Sequence, residues 1–103
     1  MDYESLYKSK LTTAEKAAQI VKSGDWVDYG WTATTPIAFD AALAARMSEL
    51  TNVNFRGGIL MWEPEIFKIE NPAEHMTWNS WHMGGIERKA MAKGFSFYSP
   101  IRY

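Results

Sequence analysis

Cysteine is absent from the 103 residues, which excludes disulfides, thiol nucleophiles and cysteine-held metals within them. Histidine is scarce. His75 and His82 are the two, with no His-Glu-x-x-His spacing around them, so no metal site is expected. Excess charge is lacking too: 11 basic residues face 12 acidic ones, leaving a net charge of −1. With a pI near 6.1 there is no electrostatic case for nucleic acid or an anionic membrane as partner. The longest apolar stretch, Gly57–Trp62, falls far short of the roughly 20 residues a membrane-spanning helix needs. Met1-Asp-Tyr-Glu lacks the basic start and apolar centre of a signal peptide, and a cytoplasmic protein is expected.

Aromatic residues are plentiful, at 15%, with five tryptophans beside six methionines. A chain this short buries a modest fraction of its surface. Such a load of large apolar side chains therefore implies that some face a pocket or further protein.

The pattern alternates helices with strands. Thr12-Thr13-Ala14-Glu15 reads as a capping box opening a helix with Ala17, Ile20 and Val21 on its apolar face, stopped by Gly24. Trp26–Gly30 reads as a strand, followed by the polar loop Trp31–Thr35. Thr35-Pro36 then reads as a cap and first helical residue, before a helix with Phe39, Leu43, Met47 and Leu50 on one stripe. Val53–Trp62 is expected as the next strand, bulged at Gly57-Gly58, with a short helical turn and an irregular stretch between residues 64 and 75. Met76–Trp81, Gly85–Lys93 and Phe95–Ser99 read as strand, helix and strand, and Gly94 closes the helix. The fold class is α/β, with an open, mostly parallel sheet and flanking helices. Its last strand would leave an edge and an apolar face open to further protein.

Parallel sheets bind ligands beyond the carboxyl ends of their strands. That edge comprises Trp31–Thr35, Trp62–Pro64, His82–Gly85 and whatever follows Ser99. The loop with Trp31, Thr32, Thr34 and Thr35 leads into free helix amides, which suit a carboxylate or phosphate; it also reads as an ordinary capped turn. Met83-Gly84-Gly85 repeats the design, with glycines that let a ligand approach the backbone, although no Gly-Lys-Ser/Thr follows. His82 is placed either to contact substrate or to serve as a structural histidine. Of the acidic residues only Glu63 lies at a strand end, and Glu87-Arg88-Lys89 reads as an exposed helix face.

Four segments carry a resemblance: Ser23–Gly30, Ala38–Arg46, Val53–Leu60 and Trp78-Asn-Ser-Trp-His-Met-Gly-Gly-Ile-Glu-Arg-Lys89. Together they resemble the acetyl-CoA hydrolase/transferase family, the family I CoA-transferases, and most of all its members acting on butyryl-CoA and acetate. The resemblance covers residues 1–103 and implies the N-terminal portion of an enzyme built from two similar α/β halves. It implies transfer of CoA from an acyl-CoA to a short-chain carboxylate through a glutamyl-CoA thioester, with coenzyme A as substrate and no other cofactor. The nucleophilic glutamate and its glycine-rich oxyanion loop would lie beyond this stretch, so no catalytic residue is assigned within it. The substrate-binding residues would be Trp31, Thr32, Thr34, Thr35, Trp62, His82, Met83, Gly84 and Gly85, with Trp31 and Trp62 limiting acyl length. The partners implied are the acyl-CoA, the carboxylate, the remainder of the enzyme's own chain and further copies of it. A hydrolase of the same family, and a non-enzymatic α/β ligand-binding module, are the alternatives.

Overall fold

The computed structural model describes residues 1–102. Its centre is a four-stranded sheet in the order β1 (Trp26–Asp28), β2 (Val53–Gly57), β3 (Met76–Ser80) and β4 (Ser96–Tyr98). Every pairing is parallel, with Val27 beside Phe55, Phe55 beside Trp78 and Trp78 beside Ser96. Helices α1 (Tyr3–Lys10), α2 (Ala14–Ala18), α3 (Ile37–Ala44) and α4 (Gly85–Ala92) make up the rest, with short 3-10 turns at Thr32–Thr34, Met47–Glu49, Glu65–Lys68 and Pro72–Glu74. The expected α/β class and parallel sheet hold.

Strand alternation decides which face is buried. Val53 and Phe55 on β2, and Met76 and Trp78 on β3, point into the core and are almost wholly buried. Tyr29 meets Phe55 and Trp78 edge-on, at centroid distances of 5.3 and 5.8 Å, and Phe67 meets Trp78 and Phe95 in the same way at 5.3 and 5.1 Å. Each such side chain removed from water contributes about 1.5–3 kcal/mol. The other face carries Trp26, Arg56 and Phe97, all exposed. Parallel sheets are ordinarily covered on both faces, so this one retains a second, open side.

Several boundaries differ from the sequence reading, each for a local reason. Thr13, one residue later than expected, caps α2 through its Oγ1, which accepts from the Lys16 amide at 3.2 Å. Ala18 and Val21 are buried, whereas Ile20, past the end of the helix, is exposed. The helix ends at Ala18 because Arg46 Nη1 donates to the carbonyls of Ala18 and Val21, at 2.7 Å each. Thr35 does not cap α3. Its hydroxyl donates to Thr32 O at 3.0 Å, and the helix begins after Pro36. The stripe continues past the end of α3 through a 3-10 turn, still burying Leu43, Met47 and Leu50.

The second strand stops at Gly57, five residues short of expectation, and holds no bulge. Gly58 N donates to Gly30 O at 3.1 Å, and the ring of Trp31 lies directly on Gly58. Helix α1, which no apolar pattern announced, is held by an Asp2 cap on Ser5 N and a Glu4–Lys8 ion pair; none of its residues is buried.

Candidate functional site

The carboxyl ends of β1, β2 and β3 release their loops side by side, and these loops bind one another. Thr32 N donates to Ile59 O at 3.0 Å, Trp81 N to Gly57 O at 3.0 Å, and Ser99 N to Ser80 O at 2.8 Å. The Trp31 ring is fixed from three sides. It rests on Gly58, where an added Cβ would fall 2.1 Å from ring carbons, and faces Trp81 at 5.6 Å and His82 at 5.0 Å. Behind Trp81 stands Arg56, its guanidinium carbon 5.6 Å from the indole centre and its Nε 3.0 Å from Asp28. Trp31 is thus a rigid platform at this edge.

The threonines serve the loop that carries it. Thr34 Oγ1 accepts from Trp31 N at 2.8 Å and donates to Trp31 O at 2.5 Å. Gly30, at φ +71°, lets the chain pass Thr34 with no room for a side chain. Thr35 is buried, whereas Thr32 is exposed and sits at φ +46°. Two of the three hydroxyls expected to meet a ligand therefore hold the turn.

At the end of β3, the hydroxyl of buried Ser80 donates to the carbonyl of His82, with Gly58 O 3.5 Å from the same hydroxyl oxygen. The next feature corrects the sequence reading. Glu87 is fully buried, not part of an exposed face, while Arg88 and Lys89 do face solvent. Its Oε1 accepts from Leu60 N at 2.6 Å and its Oε2 from Gly84 N at 2.9 Å. The N-terminus of α4 thus receives the chain's own carboxylate, a favourable placement against the helix dipole. The signal was present as Glu three residues after the cap position Gly84.

Two openings result. A slot of about 80 Å³ lies between Trp31, Trp81, Ile101 and Arg102. A groove of about 560 Å³ is lined by Ile59, His82, Met83, Arg88, Met91 and Tyr98. His82 joins them, touching the Trp31 ring on one side and lining the groove on the other. Gly84 packs beside Ile59, where a Cβ would lie 3.4 Å from Cγ2, and Gly85 is exposed at the start of α4. Trp62 lies five residues past β2, half-buried, and does not figure among the residues lining either opening. Glu63 lines a separate cavity with Phe67, Ile86, Lys89 and Lys93. The early end of β2 is what separates this pair from the edge.

His75 lies at the opposite end of β3, its Nδ1 2.7 Å from Leu50 O. Among the described residues there is no group of three or more side chains able to hold a metal ion, and no helix long and apolar enough to cross a membrane. A second buried carboxylate, Asp40, escaped the sequence reading. It accepts from Tyr29 Oη at 2.9 Å, Glu65 N at 2.6 Å and Ile66 N at 3.3 Å. Burial pushes its pKa up, against the opposing pull of those hydrogen bonds, and also pushes the Tyr29 hydroxyl up. Asp40 acts as a remote cap for the turn at Glu65–Lys68 and stands apart from both openings.

The sequence model of the acetyl-CoA hydrolase/transferase N-terminal domain matches residues 1–103. The chain is 61% identical over 103 residues to a butyryl-CoA:acetate CoA-transferase of Anaerostipes caccae, covering all of this chain and 23% of that protein. It is 44% identical over 97 residues to a probable butyrate:acetyl-CoA coenzyme A-transferase of Syntrophomonas wolfei, covering 94% of this chain and 22% of that one. The chain thus spans about a quarter of the length of these relatives. Among solved structures, RipA from Yersinia pestis superposes with a TM-score of 0.80 at 23% identity, over 100% of this chain and 26% of RipA. That likeness concerns the fold.

Proposed function

The chain belongs to the acetyl-CoA hydrolase/transferase family, matching its N-terminal domain from residue 1 to 103, and on that premise we propose that it is the N-terminal part of a CoA-transferase exchanging CoA between a short-chain acyl-CoA and a carboxylate such as acetate. The observation that carries the reading is the 61% identity, across every residue of this chain, to a protein named for that reaction. The transferase reading is preferred to the hydrolase one because both relatives above bear transferase names.

The chemistry proceeds by a glutamate outside this stretch. Its carboxylate attacks the thioester carbonyl, CoA leaves as the thiolate, and an acyl-glutamyl anhydride forms. The thiolate then attacks the glutamyl carbonyl, releasing the first acid and leaving a glutamyl-CoA thioester; the second acid runs the steps in reverse. No group within residues 1–102 is assigned a bond-making role. Trp31, Thr32, Thr34, Thr35, Trp62, His82, Met83, Gly84 and Gly85 are proposed as the wall of the substrate site. Within it Trp31 is the acyl-limiting surface, Thr34 and Thr35 hold its loop, and the small glycines bring the backbone of the Met83–Gly85 turn close to substrate. The open sheet face and the exposed edge of β4 are surfaces for the rest of the enzyme, in a cytoplasmic homo-oligomer.

The test is to supply the full-length enzyme with butyryl-CoA and follow acetyl-CoA as acetate is added. Acetate-dependent acetyl-CoA is expected. Loss of butyryl-CoA at one rate with or without acetate, yielding free CoA, would overturn the reading in favour of hydrolysis.

A further inference from the structure

The groove bounded by Ile59, Met83, Met91, His82, Arg88 and Tyr98 has a chemistry of its own. At about 560 Å³ it is within the range of small-molecule sites, and it opens at the carboxyl edge where parallel sheets bind ligands. Its apolar lining is Ile59 and two methionines, and the methionines are unbranched, adaptable side chains that accommodate aliphatic groups of varied length. Its single permanently charged lining residue is Arg88. Among the described residues Arg88 makes no ion pair, and no carboxylate lines the groove. The lysines of neighbouring cavities differ: Lys89 and Lys93 share theirs with Glu63, and Lys68 is held by Glu65 at 2.9 Å.

We propose that this groove binds a short aliphatic carboxylate, its chain against Ile59, Met83 and Met91 and its carboxyl group on the Arg88 guanidinium, with the Tyr98 hydroxyl as a second donor. The planar guanidinium fork matches a carboxylate with two parallel hydrogen bonds, which a lysine does not offer. Arg88 is held in register by the first turn of α4: its amide donates to Gly84 O at 3.2 Å, and the neighbouring Glu87 ties that turn to the loop after β2. In the transferase the occupant is the acceptor acid, an assignment that rests on the proposed function; the binding of an acid does not.

The experiment is calorimetric titration of the full-length protein with sodium butyrate, with its uncharged analogue butyramide, and with CoA. Arg88→Met keeps an unbranched apolar stem and removes the guanidinium and its charge. It should weaken butyrate about 10- to 100-fold while leaving butyramide and CoA within about twofold. Tyr98→Phe should weaken butyrate by a smaller factor of about 2–10. Neither side chain is buried among the described residues, and unchanged melting of each full-length variant checks that the fold survives. Butyrate affinity unchanged in both variants would overturn the proposal. So would loss of CoA binding with butyrate retained, which would make Arg88 a contact for a CoA phosphate. Butyrate binding through Arg88 in a protein without transferase activity would overturn the functional reading and leave the groove standing.

Discussion

Gly58→Ala adds a single methyl group under the Trp31 ring. The new Cβ would fall 2.1 Å from two ring carbons, where ordinary contact begins near 3.4 Å, so the indole must retreat by more than an ångström. Trp81 and His82 stand at 5.6 and 5.0 Å on its other sides, and the space beside it is the slot of about 80 Å³, so any retreat disturbs those contacts or fills the slot. Overpacking of this kind costs about 1–3 kcal/mol. Against it stands the stiffer unfolded chain of an alanine, about 0.4–1 kcal/mol, because the φ of Gly58 does not lie in the left-handed region. The net destabilisation should be roughly 0–2.6 kcal/mol. A cycle with Trp31→Ala isolates the contact: once the indole is gone, Gly58→Ala should be neutral or stabilising. Denaturation midpoints of the four full-length proteins measure the coupling.

The same cycle reads function. With Trp31→Ala the slot of about 80 Å³ loses one wall, and kcat/KM should shift from acetyl- and butyryl-CoA toward hexanoyl-CoA. The ratio should change by about 10–200-fold, the value of a single methylene in an apolar pocket. If Gly58→Ala were equally destabilising with and without the tryptophan, Trp31 would not be a platform seated on Gly58. If Trp31→Ala lowered all three substrates alike, Trp31 would be only a core residue.

Glu87→Ala should be far worse than a surface change: it orphans the amides of Leu60 and Gly84, at about 1–3 kcal/mol each, and a fall in melting temperature checks it. Asp40 predicts a pH effect of unusual sign. Its folded pKa is raised above the usual 3.8 by burial, so the stability it contributes is fully present below that value and is lost as pH rises through the folded pKa. The melting curve of the wild type, compared with Asp40→Asn between pH 3 and neutrality, should show the wild type gaining relative stability on the acid side. Residues 1–103 alone should convert no butyryl-CoA with acetate, because the proposed nucleophile lies outside them; turnover abolished by a point change within this stretch would contradict that.

The parallel sheet could be read directly, because Val53, Phe55, Met76 and Trp78 alternate with polar residues and helical periods separate β1 from β2 and β3 from β4. Boundaries set by tertiary contact could not. The end of β2 depends on Trp31 lying across Gly58, a meeting of residues 27 positions apart. Asp40 caps amides 25 and 26 residues downstream, so nothing in its neighbourhood announced it. Helix α1 has a cap and an ion pair but no buried stripe, and the hydrophobic period that reveals other helices was missing. Glu87 is the instructive case. Its box with Gly84 was available in the sequence, yet the run Glu-Arg-Lys invited a solvated reading. At the sheet edge, Trp31 and His82 lie together where their strand-end positions put them, whereas Arg88 and Tyr98 join the groove only through the packing of α4 beside β4.

The measurement that bears most directly on the central claim is the intact mass of the full-length enzyme after incubation with butyryl-CoA and no acceptor acid. The account predicts a protein heavier by one CoA less a water, located by peptide mapping on a glutamate outside residues 1–103, and returned to the original mass by acetate with formation of acetyl-CoA. An unmodified protein that releases free CoA regardless of acetate would contradict it.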